Sequence, residues 1–346
     1  MPIHNDISTA PGATYAPEKG RYQLYVGLGC PFACRVLSAI QVKGLQDMLY
    51  VGLGCPFACR VLSAIQVKGL QDMVDVTIVH PVFQRTRPDD AEDTHTGWAI
   101  VDPKATPFLA GPTGIGQYSS EGCSPDPVHG AKFVRDLYER ALGPNPGVRF
   151  SVPLLWDKKT NTIVSTESAD ILRNFNSAFE SLRPSSVDLY PEALRAQIDE
   201  TNEWVADAIN NGVYKAGFAQ SQSVFDEAIV KLYAALDRVE AILSKQRFLI
   251  GKAFTEADIR LFVTLIRFDE VYAVMYKTNK KLIRDYPNIS NYLKDVYQVP
   301  GMKATVNFRH IRESYFASNP TLNPFSIVPT GVDFDYASPH DRARFQ

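Results

Sequence analysis

Residues 24–48, LYVGLGCPFACRVLSAIQVKGLQDM, recur without a single change as residues 49–73. This identical tandem block limits what the chain can build more than any composition figure does. Solenoid repeats diverge in sequence and need about three copies to bury a shared core. Here nothing similar precedes the first copy or follows the second. The pair is therefore one structural unit and a recent duplicate of it.

Each copy reads as strand, turn and helix. YVGLG is a short apolar run punctuated by glycine. Cys-Pro then opens a helix, with proline in the first turn, where its missing N–H costs nothing. RVLSAIQV supplies an apolar helical stripe that stops near Gly44 or Gly69. After the second copy VDVTIVHP alternates like a strand, which completes βαβ and predicts a mixed α/β sheet. A loop-rich stretch runs from about Phe83 to Asp126, and HGAKFVRDLYERAL (129–142) reads as an amphipathic helix. RFSVPLLWD and NTIVST read as two strands, and SADILRNFNSAF as a helix. Beyond about Arg183 only helical stripes remain, over 191–210, 221–246, 255–277, 287–298 and 301–317. The expected layout is α/β then all-α: a loose leader over 1–23, an α/β domain over 24–182, an all-helical domain over 190–318 and an extended tail over 319–346.

The 346 residues carry a formal net charge of −2, which gives no electrostatic reason to expect nucleic acid or an anionic membrane as partner. No apolar run approaches the length of a membrane span. The N-terminus lacks the basic and apolar regions of a secretory signal. Five cysteines in a chain of this length do not suggest a disulfide scaffold, so a reducing, cytoplasmic setting is expected.

Cys30 and Cys55 each stand at the N-terminal end of a helix, facing unpaired N–H groups and the positive end of the macrodipole. Both favour thiolate and nucleophilic chemistry. Cys34 and Cys59 lie one turn inside, where a packing role is expected, and Arg35 or Arg60 could assist electrostatically. The alternative is that all four are core residues. Cys123 has no such context. Together the four form C-x3-C…C-x3-C, superficially a zinc site, but duplication alone produces that pattern and no metal is expected. Val152-Pro153 heads an apolar strand, where proline is disfavoured without a special purpose. Glu167-Ser168 opens a helix, where a hydroxyl and N-terminal amides can bind a carboxylate or simply cap. Thr255 and Asp258 form a capping box. Arg267 lies on a mostly apolar helix, as either a snorkelling surface cation or a charge aimed at a polar site.

YVGLGCPFACR, VPLLWD and STESADI together resemble the glutathione transferase superfamily. PEKGRYQLYV, Gly97-Trp98, VYKAGFA (213–219), LIRFDEVY (265–272), YQVPGM, HIRESYF and NPFSIVP narrow the likeness to the glutathionyl-hydroquinone reductases, the Xi class. The resemblance covers almost the whole chain after the leader. It implies a thioredoxin-like domain followed by an all-helical glutathione transferase domain, glutathione as co-substrate and a homodimer. It makes the cysteine of CPFAC the nucleophile. Trp98, Arg149, Phe150, Ser151, Val152, Pro153, Glu167 and Ser168 correspond to glutathione-binding positions, with Pro153 in the cis form. Tyr214 corresponds to the proton donor, and Arg267 and Tyr315 to residues that keep the cysteine ionised.

The chain departs from that family at Phe32 or Phe57, where tryptophan is usual, and at Cys34 or Cys59, where histidine or serine is frequent. The duplication is the larger departure. The second copy is favoured, with Cys55 ahead of Cys30, because its helix runs straight into VDVTIVHP; the first copy would then be displaced into the N-terminal region. In the first copy's favour, it alone follows Arg21-Tyr22-Gln23, the residues that lead into the strand. Competing readings are an omega-like thiol transferase or dehydroascorbate reductase, a non-catalytic ligand-binding protein and, more remotely, a zinc module.

Overall fold

A computed structural model of the chain describes residues 3–27 and 54–345. They form two compact units, one of residues up to Val187 with 304–329, the other of 188–303 with the residues from 330 onward. Among the described residues no helix is long and apolar enough to cross a membrane.

The first unit is built on a four-stranded sheet. β1 (Tyr22–Gly27) is followed in the described chain by α1 (Pro56–Lys68) and β2 (Val74–Val79). Two ribbons, β3 (Gln84–Arg85) with β4 (Thr96–Gly97) and β5 (Phe108–Leu109) with β6 (Tyr118–Ser119), occupy the loop-rich stretch. Next come α2 (Val134–Leu142), β7 (Leu154–Asp157), β8 (Thr162–Ser165) and α3 (Ser168–Ser177). The sheet order is β2-β1-β7-β8, with β1 parallel to β2 and antiparallel to β7, and β7 antiparallel to β8.

The βα unit is a hybrid of the two repeat copies. Its strand comes from the first and its helix from the second, so residues 24–27 of the first copy are in the sheet and not displaced into the leader. The reason lies just ahead of the repeat. Arg21 is buried and grips both oxygens of Asp157 at the end of β7 (Nε–Oδ1 2.9 Å, Nη2–Oδ2 2.7 Å). Gln23 Nε2 donates to Thr77 Oγ1 across β2 (3.0 Å), and the Tyr22 hydroxyl donates to Ala16 O (2.6 Å). Ahead of the second copy the same three places hold Gln46, Asp47 and Met48, which put no guanidinium in the place of Arg21, no phenol in that of Tyr22 and no amide in that of Gln23. At the other end, Gly69 takes a left-handed conformation (φ 70°) that closes α1 and turns the chain into β2.

The leader is also not loose. Ile3 exchanges hydrogen bonds with Thr166 (3.0 and 2.9 Å), Ile7 N donates to Asn174 Oδ1 (2.7 Å), and the Ile7 side chain is buried. Its polar composition conceals backbone groups that pair with the start and the flank of α3.

The second unit contains α4 (Arg195–Val205), a π-turn (Ala206–Asn210), α5 (Gly212–Gly217), α6 (Gln222–Leu243), α7 (Glu256–Arg267), a second π-turn (Phe268–Tyr272), α8 (Ala273–Met275) and α9 (Pro287–Gln298). All twelve residues of α7 are buried. Its capping box forms as the Thr255-x-x-Asp258 spacing predicts. The C-terminal segment is anchored by Arg342, whose buried guanidinium donates to Leu243 O (2.8 Å) and Arg247 O (2.9 Å), carbonyls where α6 ends. A cation there complements the negative end of the helix dipole. α10 (Phe308–Ser318) belongs to the first unit.

Candidate active site

The topology of the first unit gathers three of the sequence candidates at one end of the sheet. β2 begins beside the beginning of β1, so α1, which leads directly into it, has its C-terminus at that end and its N-terminus at the other. β7 runs antiparallel to β1, so Val152-Pro153, just before β7, lies where β1 ends. β8 reverses again, so Glu167-Ser168, just after it, returns to the same edge. Lys68, the last residue of α1, pairs with Glu180 beyond the end of α3 (2.8 Å), which fixes the two helices side by side with their N-termini together. Cys55, the Val152-Pro153 peptide and Glu167-Ser168 therefore share one end.

Cys55 is the N-cap of α1, in extended backbone (φ −97°, ψ 119°), with Pro56 in the first turn. It is fully buried. The first-turn amides of any helix lack intrahelical acceptors, so the cysteine occupies the position where a helix best supports negative charge. Cys30 lies outside the described residues, as do Cys34 and Arg35. Cys59, one turn further, donates its S–H to Thr305 O at 3.1 Å. A thiol whose proton is held on a carbonyl is a structural tie, not a thiolate or a metal ligand. Cys55, Cys59 and Cys123 take part in no disulfide, and burial pushes the Cys123 thiol up. Among the described residues no group of three His, Cys, Asp or Glu side chains is arranged to hold a metal. Arg60 stacks its guanidinium over the Phe57 ring (4.6 Å).

The Val152–Pro153 bond is cis. Ser151 is held by Tyr138, whose hydroxyl donates to Ser151 O (3.0 Å) and accepts from Ser151 N (3.3 Å). Phe150 packs edge-on against His95 and Tyr138, while Arg149 is exposed. At α3 the cap is Glu167, not Ser168: Glu167 Oε1 accepts from Ala169 N (3.1 Å) and from Ser168 Oγ (3.2 Å). Ser168 is the first helical residue, so capping, the plainer role open to it, is filled by its neighbour. Trp98 is buried, its ring edge-on to Phe83 (4.6 Å) and its carbonyl accepting from Val134 N (3.0 Å). Tyr315, on α10, is buried as well, and the Cys59–Thr305 bond ties the chain ahead of that helix to α1.

Tyr214 and Arg267 belong to the second unit. Arg267 is 1% exposed, which rules out the snorkelling alternative, and its Nη1 donates to Val263 O (2.6 Å). Tyr214 is half-buried on α5, and its hydroxyl lies 3.2 Å from that of Tyr272. Phe218, Tyr272 and Tyr276 surround its ring at centroid distances of 6.5, 5.9 and 5.5 Å. Sequence reasoning missed Tyr272 and Tyr276. The only signal was the segment LIRFDEVY, and no periodicity reveals that the helix widens into a π-turn over Phe268–Tyr272. Gly217 is required beside them, because a Cβ there would lie 2.3 Å from the Tyr276 ring.

Comparison with known proteins agrees with this arrangement. Residues 222–295 match the family model "Glutathione S-transferase, C-terminal domain". The chain is 44% identical to glutathionyl-hydroquinone reductase YqjG of Escherichia coli, over 96% of this chain and 87% of that protein. The glutathione-bound structure of the same Escherichia coli protein superposes with a TM-score of 0.80 at 39% identity, covering 99% of this chain and 96% of that one. Glutathione transferase Xi 1 from Trametes versicolor superposes with a TM-score of 0.79 at 39% identity, covering 97% and 99%. Buried cysteine at a helix start, cis-proline heading the third sheet strand in chain order, helical second unit and whole-length likeness all coincide, and the chain belongs to the glutathionyl-hydroquinone reductase family, the Xi class of the glutathione transferases.

Proposed function

We propose that the protein reduces glutathionyl-hydroquinones to hydroquinones with glutathione, through a cysteine–glutathione mixed disulfide, as a homodimer in a reducing cytoplasm. Cys55 is the nucleophile. Its thiolate attacks the glutathionyl sulfur; the new S–S bond forms as the C–S bond to the ring breaks. The electron pair of that bond stays on the ring carbon, and Tyr214 delivers its phenolic proton there, releasing the hydroquinone. A second glutathione, reacting as thiolate, attacks the glutathione sulfur of the mixed disulfide. Oxidised glutathione leaves, Cys55 thiolate returns, and the proton given up by the second glutathione restores Tyr214.

Trp98, Arg149, Phe150, Ser151, Val152, Pro153, Glu167 and Ser168 hold glutathione. The Val152 backbone pairs with the extended tripeptide, Ser168 and the amides opening α3 take a carboxylate, and Glu167 takes the ammonium group. Arg267 and Tyr315 help to keep Cys55 ionised. The observation that carries the reading is the position of Cys55, N-cap of α1 at the sheet end shared with cis-Pro153 and Glu167-Ser168. The test is turnover of a menadione–glutathione conjugate by Cys55→Ser and Cys30→Ser. Cys55→Ser is expected to lose at least about 10³-fold, since the covalent route goes with the nucleophile, and Cys30→Ser to stay near the parent. Loss in Cys30→Ser instead would remove Cys55 from the role. Loss in neither would make the protein a binding module.

A further inference from the structure

The geometry points to Tyr272 as a positioning residue for Tyr214: its hydroxyl donates into the Tyr214 oxygen, aims the Tyr214 proton away from the aromatic box and stabilises the oxygen once that proton has left. This rests on Tyr214 being the proton donor of the proposed reaction.

Two phenols 3.2 Å apart can share one hydrogen bond in either direction. Their surroundings differ. Tyr272 is fully buried, and its ring is fixed on several sides: stacked on Tyr276 (5.6 Å, 7°), edge-on to Phe268 (6.3 Å, 90°), and edge-on to Tyr214 itself. Its carbonyl accepts from Tyr276 N (3.0 Å) and Thr278 N (3.3 Å), so the backbone at the end of the π-turn is held too. π-turns rotate a side chain away from where an α-helix would carry it and recur at functional sites. Here the turn is followed by Tyr276, whose ring fits only because residue 217 is glycine. Tyr214, by contrast, is half-buried, with part of its surface left open. The Tyr272 hydroxyl is held by its fixed ring within hydrogen-bond reach of the Tyr214 oxygen, on the buried side of a phenol whose other side is half-open.

Chemically the arrangement does what a general acid needs. When Tyr214 gives its proton to the ring carbon, no other bond changes in the pair. The Tyr272 O–H then faces a phenolate instead of a phenol, and a hydrogen bond to the charged form favours that form. Tyr272 touches neither sulfur nor ring in this role; it acts only through Tyr214.

Tyr272→Phe removes the hydroxyl and keeps the ring. In the full chain, with the menadione–glutathione conjugate, kcat is expected to fall about ten-fold, KM to change little, and the basic limb of the kcat–pH profile to move upward by about one unit. The melting temperature and far-UV circular dichroism should match the parent. Tyr214→Phe should lose more, and Tyr214→Phe/Tyr272→Phe should be no slower than Tyr214→Phe alone. A Tyr272→Phe enzyme with parental kcat and pH profile, beside an impaired Tyr214→Phe, overturns the positioning role and spares the proton donor. Parental kcat in Tyr214→Phe overturns the donor itself. A double variant slower than Tyr214→Phe, or a melting temperature that falls together with kcat, also overturns the positioning role.

Discussion

His80, directly after β2, shows how a single buried residue sets a pH response. Its Nδ1 accepts from Val82 N (3.1 Å), and its Nε2 faces Tyr118 O (3.4 Å). Nδ1 also lies 3.2 Å from Val82 O, and it is burial, not these partners, that favours the neutral ring. Burial pushes the imidazole down to about 4, from an ordinary 6.5. A folded value below the unfolded one means stability that is whole above about 6.5 and lost as pH falls through about 4. At about 1.4 kcal/mol per unit the loss is about 3 kcal/mol. His80→Gln does not titrate, so the difference in unfolding free energy between parent and variant isolates this group from every other. On going from pH 7.5 to 4 the parent should lose about 3 kcal/mol relative to the variant in urea unfolding, and a gap that ignores pH would refute the assignment. Nothing in VDVTIVHP marks His80 as buried, because a histidine after a strand reads equally well as a turn residue. Cys55 is more legible, since proline followed by an apolar helical stripe fits the first turn of a helix and is excluded from its interior.

At the scale of the element, α7 illustrates a reading that needs only local physics. Asp258 Oδ2 accepts from Thr255 N (3.0 Å) and Thr255 Oγ1 (3.3 Å), as the box spacing requires. Its Oδ1 also accepts from Leu249 N (2.9 Å) and the Tyr292 hydroxyl (3.0 Å), which the spacing does not reveal. One buried carboxylate thus joins the start of α7, the turn before it and α9. Asp258→Ala would strand buried donors on three residues, Thr255, Leu249 and Tyr292, each residue costing about 1–3 kcal/mol when left unpaired. The expected loss is roughly 3–5 kcal/mol in chemical unfolding, and Asp258→Asn, which keeps one acceptor, should lose less. A penalty below about 1 kcal/mol for the alanine variant would reduce the box to an ordinary exposed cap. The π-turns flanking α5 and following α7 are the counterexample. Their sequences carry ordinary helical stripes, and their partners lie in distant elements, as when Asn210, at the end of the first π-turn, donates to Arg260 O and Thr264 Oγ1 on α7 (3.0 and 2.8 Å).

For the molecule as a whole, the repeat is the feature whose outcome sequence could not decide, because two identical blocks differ only in their neighbours. Arg21, Tyr22 and Gln23 select the first copy for β1, while continuity into Val74 selects the second for α1. Each preference was visible separately; that both could hold at once, with strand and helix from different copies, was not. Residues 28–54 then connect Gly27 to the Cys55 cap, where one block alone would leave only the Leu53-Gly54 pair. Because the copies are identical, removing 24–48, 28–52 or 49–73 yields the same polypeptide, which keeps Arg21-Tyr22-Gln23 ahead of the strand, one Cys-Pro and the run into Val74. The closure entropy of a connection grows with its length, by about 2 kcal/mol between two residues and 27. The single-block variant should therefore turn over the menadione–glutathione conjugate at the parental rate. Its melting temperature should rise by a few degrees, at about 2–4 °C per kcal/mol for units of this size. It would also carry one Cys-Pro pair instead of two, so rapid alkylation with iodoacetamide should label a single site at the rate measured for Cys55 in a Cys30→Ser parent. A single-block chain that is inactive, or that melts below the parent, would mean that the additional 25 residues contribute to the structure.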